Sequence, residues 1–507
     1  FVVAAGNPYR PEQNAENRST SGAKEAGIVM RDFFQVHPFP QSFAELVWHW
    51  RQPHENAEKE YIMRRLGMTQ AVPELDAVRF ADAMVRAQNF MRVTLGSPSK
   101  PAHSATSQRD IIRVFVFLRF FREHLQTRLE CDPRECLARA ILLSFGVVYY
   151  LGLNAKQRED FVAKVVRPLC HELVANGVDG TLDLPAVLRE EMDLYFEHIV
   201  LPRGIAATRA LKENVFAVIV CIHCNVPVML VGMPGTGKTL AVNIATGVLR
   251  GANGAVPFFR NFVDVANSVI RYQCSKESTS AQIREVFEQG GDDQRRYDRN
   301  KEAERRAFIF IDEAGLPDEK VESLKAIHYY IDRGEIPCCL LANRPLDAAK
   351  RNRAVQVFRD ASDSQDLLLL ASEALGVNRK DPHSLGFVEG LCKAFEFVMN
   401  VAGCDPALVA LERPESFDIF HLRDFTFFLQ HLRQHGHSNR GSASNVAVLH
   451  ALERNFGGLT QGEFSQLVDV FFEQLTMRMG MARPDASSQR TSIQILQEAI
   501  LDIPTEE

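Results

Sequence analysis

No uninterrupted run of roughly eighteen apolar residues occurs in this chain, and the longest stretch noted, 215–231, is broken by His223, Asn225 and Pro227, so no transmembrane helix is expected. Nor is a secretory leader expected in these residues. The chain opens on Phe1-Val2-Val3-Ala4-Ala5-Gly6-Asn7-Pro8, with neither an initiator Met nor a basic segment, which reads as a strand inside a longer polypeptide. The ten cysteines follow no regular spacing. That favours a reducing, cytoplasmic setting with free thiols over a secreted disulfide framework. Cys221-Ile222-His223-Cys224 resembles half of a metal site, but no second Cys/His pair stands at zinc-finger spacing, and the run is apolar, so core packing is expected. Charge of one sign is scarce too: 58 basic against 64 acidic side chains leave a formal charge of −6. With no clustered basic face and no interleaved aromatics, a nucleic-acid partner is not expected.

What is present has three textures. From about 39 to 200, apolar residues recur at three- and four-residue spacing, most clearly over 111–129 and 137–151, and predict helices. Between 215 and 360, β-rich runs at 226–232, 307–312, 338–342 and 354–358 alternate with helical segments, the pattern of a parallel sheet with helices on its faces. After 362 the pattern is helical again, at 366–375, 385–402 and 422–432. Polar stretches at 10–26, 290–305 and 436–444 read as loops.

The chemistry concentrates in the middle texture. Gly232-Met233-Pro234-Gly235-Thr236-Gly237-Lys238-Thr239 follows an apolar strand and runs into Leu240 and a helix. Glycines let such a loop turn successive N–H groups inward on a phosphate, and the helix beginning there aims its positive end at the same anion. Lys238 is expected on the β and γ phosphates of ATP and Thr239 on Mg2+. Phe308-Ile309-Phe310-Ile311 then delivers Asp312 and Glu313 at the C-terminal edge of a strand, Asp312 to hold the metal through water and Glu313 to polarise the attacking water. Alone, Asp312-Glu313 also reads as a helix start with favourable charges.

These elements predict an α/β P-loop large domain of the AAA+ type, a parallel sheet with flanking helices, between two α-helical lid (small) domains. The expected divisions are 1–35, the end of a preceding large domain; 36–205, its helical lid; 206–360, the ATPase large domain; and 361–507, a second lid. Asn343, ending the strand at 338–342, occupies the AAA+ sensor-1 position, or else caps the next helix, expected at 346–352. Arg351 and Arg353 stand where this class carries the arginine finger for a neighbour's site, though cations also suit a helix C-terminus.

The segments 230–241, Tyr272-Gln273-Cys274-Ser275, 311–316 and Asn343-Arg344-Pro345-Leu346-Asp347-Ala348-Ala349-Lys350-Arg351-Asn352-Arg353 together resemble the AAA+ modules of the mysterin family, giant RING finger proteins with a dynein-like AAA+ core. The likeness extends to 2–10 as the end of a preceding module, with Asn7 as its sensor residue, and to 36–62 as its lid; it thins over 130–205 and after 435. Arg109-Asp110 and Arg423-Asp424 echo one another, each opening an amphipathic helix at the family's sensor-2 position. An ordinary helix-start Asp beside a solvated Arg reads equally there. One departure is the Gly235-Thr236-Gly237-Lys238-Thr239 loop, where mysterin-type loops carry serines around the lysine.

The resemblance implies an ATPase module of a larger E3 ubiquitin ligase, with ATP and Mg2+ as cofactors, neighbouring AAA+ modules of the same polypeptide as partners, and the ubiquitin machinery acting elsewhere, since no RING-type Cys/His array occurs in these residues. Two alternatives stay open. One is a nucleotide-gated structural switch that does not hydrolyse; the other is a dynein- or midasin-type remodelling motor without ligase activity.

Overall fold

The computed structural model describes residues 54–69, 77–95, 106–128, 132–175, 182–265, 267–302, 304–317, 324–346, 348–359, 363–400, 413–435, 443–485, 490 and 494. The chain divides into two compact units, Phe1–Glu58 and Lys59–Glu507, and, residues 54–58 aside, the second holds everything that follows. The expected fragment 1–35, Asn7 and the loops at 10–26 and 436–442 lie outside the described residues.

The helices before the sheet are α1 (Glu55–Thr69), α2 (Ala77–Leu95), α3 (Gln108–Arg128), α4 (Pro133–Val148), α5 (Ala155–Phe161), α6 (Arg167–Ala175) and α7 (Leu184–Glu197). Their starts are written locally. Asp132 caps α4 ahead of Pro133, Asn154 and Gln157 form a capping box on α5, and Asp183 caps α7. The segment Pro133–Gly152 is long and apolar enough to cross a membrane, but 83% of it is buried among its neighbours, as in the core helix of a folded domain.

Helix α8 (Arg209–His223) leads into β1 (Val228–Gly232), and α9 (Lys238–Val248), β2 (Val269–Gln273), α10 (Ser280–Arg299), β3 (Phe308–Asp312), α11 (Lys325–Arg333), β4 (Cys338–Ala342), α12 (Ala348–Arg351) and β5 (Val355–Arg359) follow. The five strands are parallel in the order β2-β3-β4-β1-β5, with Val228 opposite both Cys339 and Val355. Strands β1 and β4 are buried along their whole length, which is why their sequences are unbroken apolar runs.

Two expectations change here. Strand β2 went unread because it is a half-exposed edge carrying Arg271 and Gln273. Residues 290–299 are helical rather than loop. A capping box of Thr279 and Gln282 starts α10, and Ile283, Val286, Phe287 and Tyr297 give it a buried stripe. Gly290 sits where a Cβ would come within 3.1 Å of both Ile309 and Ile336, so it serves close helix-to-sheet packing.

After the sheet come α13 (Ser364–Leu375), α14 (Pro382–Val398), α15 (Leu422–His435), α16 (Asn445–Phe456) and α17 (Gln461–Met479). They close on a core of their own, in which Phe395 and Phe425 stack at 4.2 Å with Phe428, Phe456 and Phe471 around them. Each fully buried ring of this kind stabilises by roughly 1.5–3 kcal/mol.

Candidate nucleotide site

The loop between β1 and α9 uses its glycines for three separate reasons. At Gly232 a Cβ would lie 2.7 Å from the Cβ of Arg359 on β5. Gly235 has φ +87°, and a Cβ there would lie 2.7 Å from the backbone N of Arg423. Gly237 is the left-handed residue, φ +74°, that caps α9. Between them, Pro234 is half-buried and Thr236 is buried with its hydroxyl on the Met233 carbonyl at 2.9 Å. Leu240 packs its side chain into the core beneath.

Lys238 is enclosed by this turn. Its ammonium donates to the carbonyls of Gly232 (2.6 Å) and Met233 (3.0 Å) and to Oδ1 of Asn343 (3.1 Å). Burial pulls it down to about 8, opposed by the carboxylates of Glu313 and Asp312 and reinforced by the charge of Arg423. At neutral pH the ammonium therefore still predominates. The Thr239 hydroxyl donates to Oδ2 of Asp312 at 3.4 Å, and Oδ1 of Asp312 accepts the Glu313 N–H at 2.8 Å.

Glu313 leaves the strand at φ +52°, an uncommon conformation for a residue with a side chain, held by the Ala314 N–H on the Leu341 carbonyl at 2.7 Å. No helix begins at Asp312, so the helix-start reading is overturned. Asn343 turns its Nδ2 to Oε2 of Glu313 at 3.1 Å while its oxygen receives Lys238. That amide links the lysine to the second carboxylate, and α12 begins five residues later, at Ala348. Lys238, Thr239, Asp312, Glu313 and Asn343 are thus one hydrogen-bonded group. The donor set fits a magnesium–nucleotide: a hydroxyl and a carboxylate within 3.4 Å, a cation, and the N-terminus of an eleven-residue helix.

Arg423 lies at the start of α15, exposed, against Gly235 and close enough for Lys238 to feel its charge. Arg353 donates through Nε to both oxygens of Asp332 (3.2 and 3.1 Å), a carboxylate that also receives Arg109 at 3.1 Å. Arg351 is half-buried at the end of α12. Two residues of the site were not read from the sequence: Asn214 on α8, whose Nδ2 reaches the Thr236 carbonyl, and Arg359, which holds Asn214 in turn.

No group of three or more His, Cys, Asp or Glu with metal-ligand geometry occurs among the described residues. Cys221 is buried in α8, where burial raises its thiol, as core packing requires. Seven cysteines among the described residues are free, but Cys136 is disulfide-bonded, so the expectation of free thiols throughout fails at that position.

A P-loop beside a carboxylate-ended strand, in a parallel sheet with β1 between β4 and β5, is the arrangement of the AAA+ class. Residues 204–366 match the family model described as the RNF213 AAA domain. The chain is 25% identical to the E3 ubiquitin-protein ligase RNF213 of Homo sapiens over 94% of its own length and 9% of that protein's. It is 24% identical to the E3 ubiquitin-protein ligase rnf213-beta of Danio rerio over 91% of its length, again 9% of the relative. The chain is accordingly similar to the AAA+ region of the mysterin proteins, and it spans about a tenth of the length of the curated relatives it matches. Among solved structures it is similar to a point variant of Thermotoga maritima RuvB, 14% identical, covering 58% of this chain and 88% of that one at a TM-score of 0.30.

Proposed function

We propose that residues 206–360 bind and hydrolyse Mg–ATP within a larger mysterin-like E3 ubiquitin ligase, and that the helices after the sheet convert nucleotide state into movement. The observation that carries this reading is the single hydrogen-bonded group of Lys238, Thr239, Asp312, Glu313 and Asn343. A site that only bound nucleotide would have no use for Glu313.

Bound Mg–ATP supplies the phosphoryl group and a divalent charge that offsets its oxygens. The protein's own part is orientation and charge. Loop N–H groups and the α9 N-terminus face the phosphates, and Lys238 adds a partly desolvated cation. Thr239 and Asp312 hold the metal. Glu313 accepts a proton from water, oriented by the amide of Asn343, whose nitrogen can only donate to it. Arg423 brings the start of α15 to the loop as a sensor of the terminal phosphate, and Arg353, with Arg351 beside it, serves a neighbouring module as its finger. Seven free thiols against the one disulfide-bonded cysteine, Cys136, among the described residues favour a cytoplasmic location, and neighbouring AAA+ modules of the same polypeptide are the partners this reading requires.

ATP turnover by the chain with its flanking modules, at saturating Mg–ATP, tests the reading. Wild type turns over, Glu313→Gln still binds ATP but is slowed by about a hundredfold or more, and Lys238→Ala loses binding. Wild-type turnover no faster than that of Glu313→Gln replaces the enzyme with an ATP-gated switch.

A further inference from the structure

Behind the phosphate loop runs a chain of buried polar side chains that the catalytic group does not use. Asn214, with no exposed surface, accepts Nε of Arg359 at 2.9 Å and donates Nδ2 to the Thr236 carbonyl at 3.4 Å. Nη1 of Arg359 pairs with Glu213, and its Nη2 is buried without a partner. Glu213 is 1% exposed and also receives both terminal nitrogens of Arg158 (3.1 Å each) and Nε of Arg209 (2.9 Å). Burial alone would raise the Glu213 carboxyl, but Arg359, Arg158 and Arg209 overcome it and hold it at about 2. Arg158 belongs to α5, in the helices before the sheet, and is fixed there by the carbonyls of Leu153 and Leu151.

A loop that turns its N–H groups inward on an anion turns carbonyls outward, and each buried carbonyl needs a donor. Asn214 is that donor for Thr236. An amide has an accepting and a donating end of nearly equal size, so something must decide which end meets the loop. Arg359 decides it, because a guanidinium only donates and therefore claims the oxygen. Glu213 holds Arg359 in turn.

We propose that Asn214 is a positioning residue for the phosphate loop, oriented by Arg359 and Glu213, and that Arg158 ties the shape of the loop to the helices preceding the sheet. The inference rests on the nucleotide-binding reading and adds a control point to it. Asn214→Asp separates the roles: the carboxylate still accepts from Arg359 but has no hydrogen to give Thr236.

The test is equilibrium binding of a fluorescent ADP analogue with Mg2+ to the 507-residue chain, with Tm followed in parallel. Asn214→Asp should raise Kd about tenfold, as the loss of one buried hydrogen bond implies, with Tm little changed. Arg158→Met should raise Kd a fewfold in the wild-type background and add nothing to Asn214→Asp. Binding lost while Tm holds is not what a purely structural residue produces. Should Asn214→Asp fail to fold, Arg359→Lys, which keeps a cation for Glu213 but loses the Nε bond, decides the matter by the same rise in Kd. Wild-type binding with Kd unchanged within about twofold in these variants, or equal effects of Arg158→Met in both backgrounds, overturns the proposal alone. A wild-type chain that binds no ADP overturns the nucleotide reading with it.

Discussion

The helices on the two sides of the sheet meet it by different physics. Those before it share its core: Phe121 stacks on Phe216 of α8, Tyr195 of α7 packs edge-on against Phe216 and Phe258, and Phe120 and His124 reach Phe262. Those after it keep a separate core. The Asp366 carboxylate accepts the Arg209 and Ala210 N–H groups at the start of α8, and Leu422 and Arg423 lie against Gly235. Separating the first set would expose rings to water, whereas the polar contacts of the second can be exchanged for water at little cost. The helices written before the domain are thus built into it, and the helices written after it close on a core of their own.

The largest break in this comparison comes from Phe216→Ala, expected to cost about 3–5 kcal/mol and to lower the unfolding of the first helices and the sheet together. Phe395→Ala should cost about as much yet loosen only the helices after the sheet. Chemical denaturation followed by limited proteolysis distinguishes them, and Phe216→Ala releasing α3 and α7 while the sheet stays protected would refute the shared core.

Acid should act on the same seam. Burial, with the charges of Arg128 and His223, holds His124 down to about 4, and burial with Arg306 holds His223 there against Glu123. Both rings are neutral in the folded chain but take up protons below about 6.5 once it unfolds. The stability they contribute is whole above about pH 6.5 and is lost as pH falls toward 4, on the order of 2–3 kcal/mol each. A Tm series from about pH 7.5 to 4.5 measures it, and replacing His124 by Gln should flatten the decline. The smallest effect is that of Asp366→Ala, which removes the cross-domain cap from α8. About 1 kcal/mol is expected, with faster hydrogen exchange at the Arg209 and Ala210 amides and no change within the C-terminal core.

How much of this was legible depended on whether the reason for a residue lies near it in the chain. β4 was read at its observed bounds, because an apolar run ending in Asn343 states its own burial. The loop and Asp312-Glu313 were read for the same reason, since strand, glycines, lysine and helix follow one another directly. Strand β2 escaped because an edge has one neighbour, and half-exposed residues show no clear period. Helix α10 escaped because Gly290 and Gly291 are poor helix formers, and the side chains that require Gly290 to be small, Ile309 and Ile336, come from β3 and the approach to β4. Asn214 and Arg359 stand just outside the apolar runs 215–231 and 354–358, and nothing in either run marks them. They stand 145 positions apart, and no local pattern records that they meet.

The strand order also bears on synthesis. β1, which carries the phosphate loop, emerges from the ribosome first among the strands, yet both of its neighbours, β4 and β5, are translated last. The nascent loop must therefore wait through β2, α10 and β3 before its strand can be paired. During that interval the surfaces available to α8 and β1 are the helices already made, with Phe121, Tyr195 and Arg158 in place to receive them. The helical segment ahead of the domain can then act as a cradle for a half-translated AAA+ domain.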